Sequence, residues 1–245
     1  MFRLRCVLPE AEGTGTGRAA MKPLTEKHLT IFRRHMVEVI DVNFDVLGEE
    51  IGSDLLDSRV RAAFLKVPRH LFVPHQFAAM AYQDTPLPIG FDKTISQPFI
   101  AALMIHLLSV SPGLKLLEVG TGLGYQAAVL AEMGARLWSV EIVEEFAEQA
   151  HVRLGLAGYE GIEIRVGDGS RGWPEHAPFD RILVTAAAEE PPEALVDQLA
   201  PGGRLVMPLG GKDSQKLTVL TKNPAGTVER EPIMAVRFTQ LEMAT

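Results

Sequence analysis

Apolar residues recur with helical periodicity in the first part of the chain. Their spacing predicts an amphipathic helix over residues 24–40 and a second helix over residues 54–66. Asp54 is a candidate N-cap for the second helix, and Pro68 stands where that helix must stop, because proline lacks the backbone donor that a helix needs. The first part of the chain is therefore expected to be helical.

A proline-rich segment follows the second predicted helix. Residues 69–74 are bounded by prolines and predict a short extended segment, and residues 82–97 predict a loop. Pro98 opens a third apolar run, which predicts a helix over residues 98–108 with proline in its first turn. Because long irregular segments of compact domains are often functional, the loop at residues 82–97 is a candidate functional segment.

The pattern changes after residue 110, where short apolar runs alternate with helical segments. Strands are predicted at residues 115–119, 136–141, 162–166, 179–185 and 204–208, and helices at residues 125–133, 143–156 and 192–199. This alternation implies a parallel sheet with helices on both of its faces. Residues 217–221 and 228–238 predict two closing strands joined by a turn around residues 223–226.

These elements define a fold class and a domain organisation. We expect a doubly wound, mostly parallel, Rossmann-like α/β fold with N-terminal helices and a C-terminal antiparallel hairpin. Residues 21–245 are expected to form one domain, with a helical part at residues 21–110 that carries the candidate loop and an α/β core at residues 111–245. Residues 1–20 are expected to be a mobile extension, because glycine, proline and acidic residues interrupt every apolar run there.

Composition narrows the classes of function. The chain of 245 residues has a formal net charge of −7 and no long basic run, which argues against a nucleic-acid surface. The single cysteine, Cys6, cannot form an internal disulfide, which favours a reducing compartment. No apolar stretch approaches the ~20 residues of a membrane span, and the 7 histidines include no H-x-x-x-H pair. We therefore expect a cytoplasmic protein without membrane, nucleic-acid or metal ligands.

Three glycines at alternate positions, Gly120, Gly122 and Gly124, directly follow the first strand of the predicted core. Ligands of doubly wound sheets bind at the carboxyl ends of the strands, and glycines let the backbone approach them closely. The G-x-G-x-G spacing differs from the G-x-G-x-x-G of dinucleotide sites. Glu118 would repel a pyrophosphate, whereas it suits a cationic amino group such as that in the methionine part of S-adenosylmethionine.

Two further acidic residues stand at neighbouring strand ends. Glu141 ends the second core strand, where a carboxylate can accept both hydroxyls of a ribose. Asp168, between Gly167 and Gly169, follows the third core strand and can accept from an exocyclic amine such as that of adenine. The alternatives are a tight turn without a ligand at the glycines, a solvated Glu141, and an Asp168 that only caps backbone amides.

Several blocks of this sequence resemble those of the protein-L-isoaspartate O-methyltransferase family. They are the Arg-His-Leu-Phe-Val-Pro segment at residues 69–74, the Pro-Ile-Gly and Thr-Ile-Ser-Gln-Pro segments within residues 88–98, the glycine loop within residues 117–126, and the segments at residues 167–170, 178–180 and 201–204. The glycine loop is general among methyltransferases, whereas Thr-Ile-Ser-Gln-Pro is far more specific. The resemblance covers about residues 67–209 and implies a class I S-adenosylmethionine-dependent methyltransferase that acts on isoaspartyl-containing proteins and peptides.

The resemblance also implies roles for individual residues. Ser96 is the expected catalytic residue, beside the transferred methyl group. The expected cofactor-binding residues are Thr94, Ile95, Glu118, Gly120, Thr121, Gly122, Gly124, Glu141, Asp168 and Gly169. The expected substrate-binding residues are Ile89, Lys93, Thr94 and Ser96. Lys93 departs from the glutamine that bacterial relatives often carry, and it either attracts a substrate carboxylate or points to water.

Other functions compete with isoaspartyl methylation. A methyltransferase of the same fold could act on another carboxylate or on a small molecule, and a non-catalytic module could bind S-adenosylmethionine alone. A carboxylate nucleophile is already ionised at neutral pH and needs no general base. That chemistry agrees with the absence of a His-Asp or Cys-His pair near these sequence blocks. The glycine spacing argues against a nicotinamide-dependent dehydrogenase.

Overall fold

The computed structural model describes residues 24–243. The expected extension at residues 1–20, with Cys6, lies outside the described residues. The helices are α1 (Glu26–Ile51), α2 (Ser58–Lys66), α3 (Pro98–Leu108), α4 (Tyr125–Glu132), α5 (Glu144–Leu156) and α6 (Glu193–Asp197). The strands are β1 (Leu87–Gly90), β2 (Lys93–Ile95), β3 (Lys115–Val119), β4 (Arg136–Glu141), β5 (Glu163–Val166), β6 (Phe179–Val184), β7 (Leu199–Gly210), β8 (Gln215–Lys222) and β9 (Val228–Val236).

A seven-stranded sheet in the order β5-β4-β3-β6-β7-β8-β9 forms the centre of the protein. The strands β5, β4, β3, β6 and β7 pair in parallel, whereas β8 and β9 close the sheet as an antiparallel hairpin. The strand order reverses beside β3, which makes the carboxyl ends of β3, β4 and β6 the expected place for a ligand. The predicted fold class is therefore confirmed.

Two hydrophobic layers pack against the two faces of the sheet. Alternate side chains of β3 point to opposite faces, so that Leu116 packs with the α1–α4 layer and Leu117 with the layer that includes α6. The N-terminal helices thus cover one face of the sheet and leave the carboxyl ends of its strands accessible. Among residues 24–243, no helix is both long and apolar enough to cross a membrane.

The helical part differs from prediction at two boundaries. Helix α1 continues past residue 40 to Ile51, because the apolar stripe continues through Phe44, which is fully buried, and Gly52 ends the helix with φ of 76°. Asp54 is not the N-cap of α2. Asp57 takes that place, and its carboxylate accepts from the backbone N–H of Arg59 at 2.8 Å.

The segment between α2 and α3 is more regular than predicted. Residues Arg69–Phe72 form a 3₁₀ helix rather than an extended segment, and this turn buries the Arg69 side chain. The predicted loop at residues 82–97 contains the antiparallel pair β1–β2. Phe91 and Asp92 form its turn with φ of 48° and 55°. The hairpin was not predicted, because two-residue hairpin turns with positive φ normally carry Asn-Gly or another pair with glycine.

Candidate active site

Two adjoining cavities lie at the carboxyl ends of β3, β4 and β6. The smaller has a volume of about 100 Å³, and the larger has about 890 Å³. They share the lining residues Ile89, Thr94, Gly120, Gly122, Thr185 and Thr239. A space of this size at the point where the strand order reverses suits a small-molecule ligand together with part of a larger one.

The glycine loop that separates β3 from α4 lies against both cavities. Gly120 has φ of 93°, and a Cβ on it would lie 2.3 Å from Oγ1 of Thr185. Thr185 fixes the loop from β6, because its Oγ1 donates to the Gly120 carbonyl at 2.8 Å. Gly169 is constrained in the same way, since a Cβ there would lie 2.3 Å from Cγ1 of Val119. Close packing therefore requires glycine at both positions.

Glu141 ties the glycine loop to the end of β4. Its Oε2 accepts from the backbone N–H of Gly122 at 2.7 Å, and its Oε1 accepts from that of Val143 at 3.0 Å. The residue is only 6% exposed, yet it lines the smaller cavity. Because each carboxylate oxygen can accept more than one hydrogen bond, Glu141 retains the capacity to bind hydroxyl groups of a ligand.

Glu118 lies beneath the glycine loop and is fully buried. Its Oε2 accepts from the Ser139 hydroxyl at 2.6 Å, and Ser139 is in turn 2.5 Å from Oγ1 of Thr121. Oε1 has no hydrogen-bond partner among the described residues. Burial raises the pKa of Glu118 to about 8, the Glu141 charge acts in the same direction, and the Ser139 hydrogen bond opposes it. Glu118 lines neither cavity.

Ser96 lies on the opposite wall, between β2 and α3, and lines the larger cavity. Arg69 holds its backbone, because Nη2 donates to the Ser96 carbonyl at 2.7 Å while Nε donates to the Ala81 carbonyl at 2.8 Å. The guanidinium of Arg69 lies 4.7 Å from the ring centroid of Tyr125, at the start of α4. Burial lowers the pKa of Arg69 to about 10, which leaves it charged at neutral pH.

Asp84 fixes the chain on the other side of Ser96. Its Oδ1 accepts from the backbone N–H of Phe99 at 2.8 Å, within the first turn of α3. Its Oδ2 accepts from Nε2 of Gln97 at 2.8 Å and from Nδ2 of Asn43 at 3.2 Å. The strip at residues 94–96 is thus held by buried or half-buried groups on both sides.

The C-terminal segment after β9 closes the smaller cavity. Thr239, Leu241 and Glu242 contribute to its lining, and the backbone of Ala187 exchanges hydrogen bonds with Thr239 and Leu241 at 2.8 and 2.7 Å. The ammonium of Lys93 forms an ion pair with Glu242. The segment therefore connects the β1–β2 hairpin to the end of β6 across the cavity.

The sequence model of the family described as "Protein-L-isoaspartate(D-aspartate) O-methyltransferase (PCMT)" matches residues 45–244. The chain belongs to the protein-L-isoaspartate(D-aspartate) O-methyltransferase family. Protein-L-isoaspartate O-methyltransferase 1 of Polaromonas sp. is 46% identical over 90% of this chain and 94% of its own length. The protein-L-isoaspartate O-methyltransferase of Gloeobacter violaceus is 55% identical over 74% of this chain and 89% of its own.

Solved structures of the family share the fold. One protein-L-isoaspartate O-methyltransferase has a TM-score of 0.72 and 28% identity, and the match covers 85% of this chain and 65% of the other. A Plasmodium falciparum protein described as a member of the family was crystallised with S-adenosyl-L-homocysteine. It has a TM-score of 0.71 and 25% identity over 86% of this chain and 98% of its own.

Most site residues predicted from family resemblance come together in the structure. The smaller cavity is lined by Ile89, Lys93, Thr94, Gly120, Gly122, Glu141 and Gly169. The larger cavity is lined by Ile89, Thr94, Ile95, Ser96, Gly120, Thr121 and Gly122. These residues come from four separate parts of the chain, so their convergence is a property of the fold.

Three residues predicted to bind the cofactor directly line neither cavity: Glu118, Gly124 and Asp168. Gly124 is the N-cap of α4 with φ of 94°, and a Cβ there would lie 3.2 Å from Leu154. Asp168 caps a short 3₁₀ helix, accepting from the Ser170 N–H and hydroxyl at 2.9 and 2.6 Å. Asp168 thus caps this turn and forms an ion pair with Arg171 at 3.5 Å, and Glu118 lies beneath the glycine loop; the cofactor contacts predicted for these residues stay predictions.

Several lining residues were not predicted from the sequence. Phe146, from the first turn of α5, and Thr239–Glu242 line the smaller cavity but belong to no family block recognised in the sequence. Thr185 could have been found, because it directly follows β6 and the carboxyl end of a parallel strand faces the ligand site. The C-terminal residues reach the site only through the path of the chain after β9.

Proposed function

We propose that this protein transfers a methyl group from S-adenosylmethionine to the free carboxylate of L-isoaspartyl residues in damaged proteins. The supporting observation is the meeting of two walls: the glycine loop held by Glu141 and Thr185, and the Ser96 strip held by Arg69. Family membership supplies the reaction class, and the adjoining cavities supply space for a cofactor and for an acidic side chain.

The residues of the smaller cavity suit part of S-adenosylmethionine, and the rest of the molecule would extend past Gly120 and Gly122 into the larger cavity, because about 100 Å³ is less than a whole small-molecule ligand needs. Gly120 and Gly122 offer backbone without a Cβ, Glu141 offers carboxylate oxygens to hydroxyl groups, and Phe146 offers an apolar surface. Glu118, whose pKa of about 8 keeps it protonated at neutral pH, would support the loop from beneath rather than contact the cofactor. When bound, S-adenosylmethionine supplies an electrophilic methyl group on a positively charged sulfur. Among the charged residues that line the smaller cavity, Lys93 and Glu242 pair with each other, which leaves the carboxylate of Glu141. Its negative charge suits such a cation.

The protein's own contribution is orientation and exclusion of water. The substrate carboxylate is ionised at neutral pH and requires no general base. The Ser96 hydroxyl would donate to one carboxylate oxygen, which positions the other toward the smaller cavity. A neutral donor suits this task because a cation would bind the carboxylate more strongly and reduce its nucleophilicity. Orientation of two reactants can lower a barrier by roughly 7 to 11 kcal/mol.

The ester then starts repair without further catalysis. The carboxylate held by Ser96 would take the methyl group that S-adenosylmethionine supplies as its carbon–sulfur bond breaks, which would yield the methyl ester and S-adenosylhomocysteine. The backbone nitrogen that follows the isoaspartyl residue attacks the ester carbonyl, loses its proton and displaces methanol to form a succinimide. Water opens the succinimide ring and returns part of the material as normal aspartate.

A pair of peptides tests the substrate assignment. The peptides share one sequence and differ only in whether a single residue is L-isoaspartyl or L-aspartyl. We expect methyl transfer from labelled S-adenosylmethionine to the isoaspartyl peptide alone. Equal labelling of both peptides, or of neither, would contradict the proposal. Transfer to a small-molecule acid but to neither peptide would favour the competing methyltransferase function.

Ser96→Ala tests the catalytic wall separately. Loss of the hydroxyl is expected to lower kcat about 10-fold or more, because the carboxylate loses a positioning donor, while the Kd for S-adenosylhomocysteine stays within about twofold. An unchanged kcat would remove Ser96 from the mechanism.

The partners and location follow from this function. Isoaspartyl-containing proteins and peptides are the proposed partners, and the cytoplasm is the proposed location because the chain contains 1 cysteine.

A further inference from the structure

The two cavities of the site differ in charge. Lys93, Glu141 and Glu242 line the smaller cavity, where the Lys93–Glu242 ion pair leaves the negative charge of Glu141. Among the described residues that line the larger cavity, Arg237 carries the only charged side chain. A cavity with one cation and no carboxylate in its lining favours an anion.

Arg237 is available for a ligand. It follows β9 directly and is exposed. Its side chain forms no hydrogen bond or ion pair with any residue in the part of the chain that the structure describes. Other cations near the site are already paired, since Lys93 contacts Glu242 and Arg69 donates to the carbonyls of Ala81 and Ser96.

The position of Arg237 separates it from methyl transfer. Transfer must take place where the cavities adjoin, and Thr94, Gly120 and Gly122 line both of them there. Arg237 lines only the larger cavity, on the strand side, whereas Ser96 stands on the wall formed by β2 and α3. A guanidinium that lines only the larger cavity suits a neighbouring residue of a bound peptide rather than the reacting carboxylate.

We propose that Arg237 is a specificity-determining residue that selects substrates with an acidic side chain next to the isoaspartyl residue. The guanidinium can form two parallel hydrogen bonds with such a carboxylate. This local cation also offsets the formal net charge of −7, which otherwise repels acidic proteins. The inference rests on the proposed isoaspartyl methylation and adds the chemistry of the flanking sequence.

Three isoaspartyl peptides test the inference, with Glu, Gln or Lys at the flanking positions and otherwise one sequence. For the unaltered protein we expect KM to be lowest for the Glu peptide and highest for the Lys peptide. The ratio of KM for the Gln peptide to KM for the Glu peptide should be about 1.5 to five, the range that an exposed ion pair supplies. Added salt should reduce this ratio, because it screens exposed charges.

Arg237→Gln should bring the same ratio close to one, and Arg237→Glu should reverse the order of the Glu and Lys peptides. Arg230→Gln is the matched control. It makes the same change in net charge on β9, but Arg230 pairs with Glu190 and lies outside the cavity lining, so the ratio should persist. Using a ratio cancels any general loss of activity in the variants.

The outcomes separate this inference from the proposed function. If the unaltered protein methylates no isoaspartyl peptide, the proposed function fails. If it methylates all three with one KM, or if Arg237→Gln raises every KM by the same factor, the selection of acidic flanks is overturned while isoaspartyl methylation stands.

Discussion

Glu118→Gln is the substitution that most sharply tests the electrostatics beneath the glycine loop. The carboxyl is fully buried, and the hydrogen bond from Ser139 to Oε2 can persist with the amide oxygen of glutamine. The E118Q variant therefore removes ionisation while keeping the shape and one acceptor. Because Oε1 has no partner among the described residues, the amide replaces no existing hydrogen bond.

The magnitude follows from the pKa of this carboxyl. Burial raises it from an ordinary 4.5 to about 8 in the folded protein. Between these values the unfolded chain has released the proton and the folded protein still holds it, so the free energy of unfolding falls by about 1.4 kcal/mol per pH unit. The contribution is fully present below pH 4.5 and is lost as the pH rises through 8, a total of about 5 kcal/mol.

Urea unfolding at several pH values between 5 and 8 measures this effect. The variant lacks the titrating group, so the difference in unfolding free energy between the variant and the unaltered protein should grow with pH in favour of the variant. Glu148→Gln, at an exposed position of α5, is the control and should give a difference that does not change with pH. Parallel curves for E118Q and the unaltered protein would refute the reasoning, because Glu118 would then titrate equally in the folded and unfolded chains.

Two further substitutions test the walls of the site. Gly120→Ala should destabilise the protein by about 2 to 4 kcal/mol and weaken S-adenosylhomocysteine binding, because the new Cβ clashes with Thr185 and alanine is strained at positive φ. Gly158→Ala is the control, since Gly158 has φ of 83° but open space around it, and it should show only the smaller cost of the backbone strain. Urea unfolding measures the stability of both variants, and calorimetry measures their binding. Arg69→Met should lower kcat for an isoaspartyl peptide about 10- to 100-fold with little change in cofactor Kd, since the Ser96 carbonyl loses its donor. Arg69→Lys should recover part of that kcat. If the loss of kcat in Arg69→Met is fully explained by a smaller fraction of folded protein, Arg69 acts in folding alone.

Periodicity predicted the parallel core well, because buried strands and amphipathic helices leave strong patterns. The strands β3 and β4 match their predicted bounds. The β1–β2 hairpin was missed, because its turn places Phe91 and Asp92 at positive φ, which no local sequence rule favours. The prediction also ended α1 too early, although the apolar stripe continues through Phe44 and Gly52 follows the last turn.

Most residues that the resemblance singled out share the two cavities, whereas the roles assigned to them stay predictions. The Ser96 strip, Gly120 and Glu141 lie at the cavities as predicted. Glu118 and Asp168 do not line them, because a residue at a strand end can point beneath the loop or cap the next turn, and sequence spacing does not distinguish these orientations. Arg69 and the C-terminal segment reach the site through long-range contacts that no local motif encodes.

A crystal structure of the protein with S-adenosylhomocysteine and an isoaspartyl peptide would test the central claim most directly. We expect the cofactor's sulfur where Gly120 and Gly122 border both cavities, and the free carboxylate of the peptide beside the Ser96 hydroxyl. A cofactor outside the smaller cavity, or a peptide whose carboxylate lies away from Ser96, would contradict it.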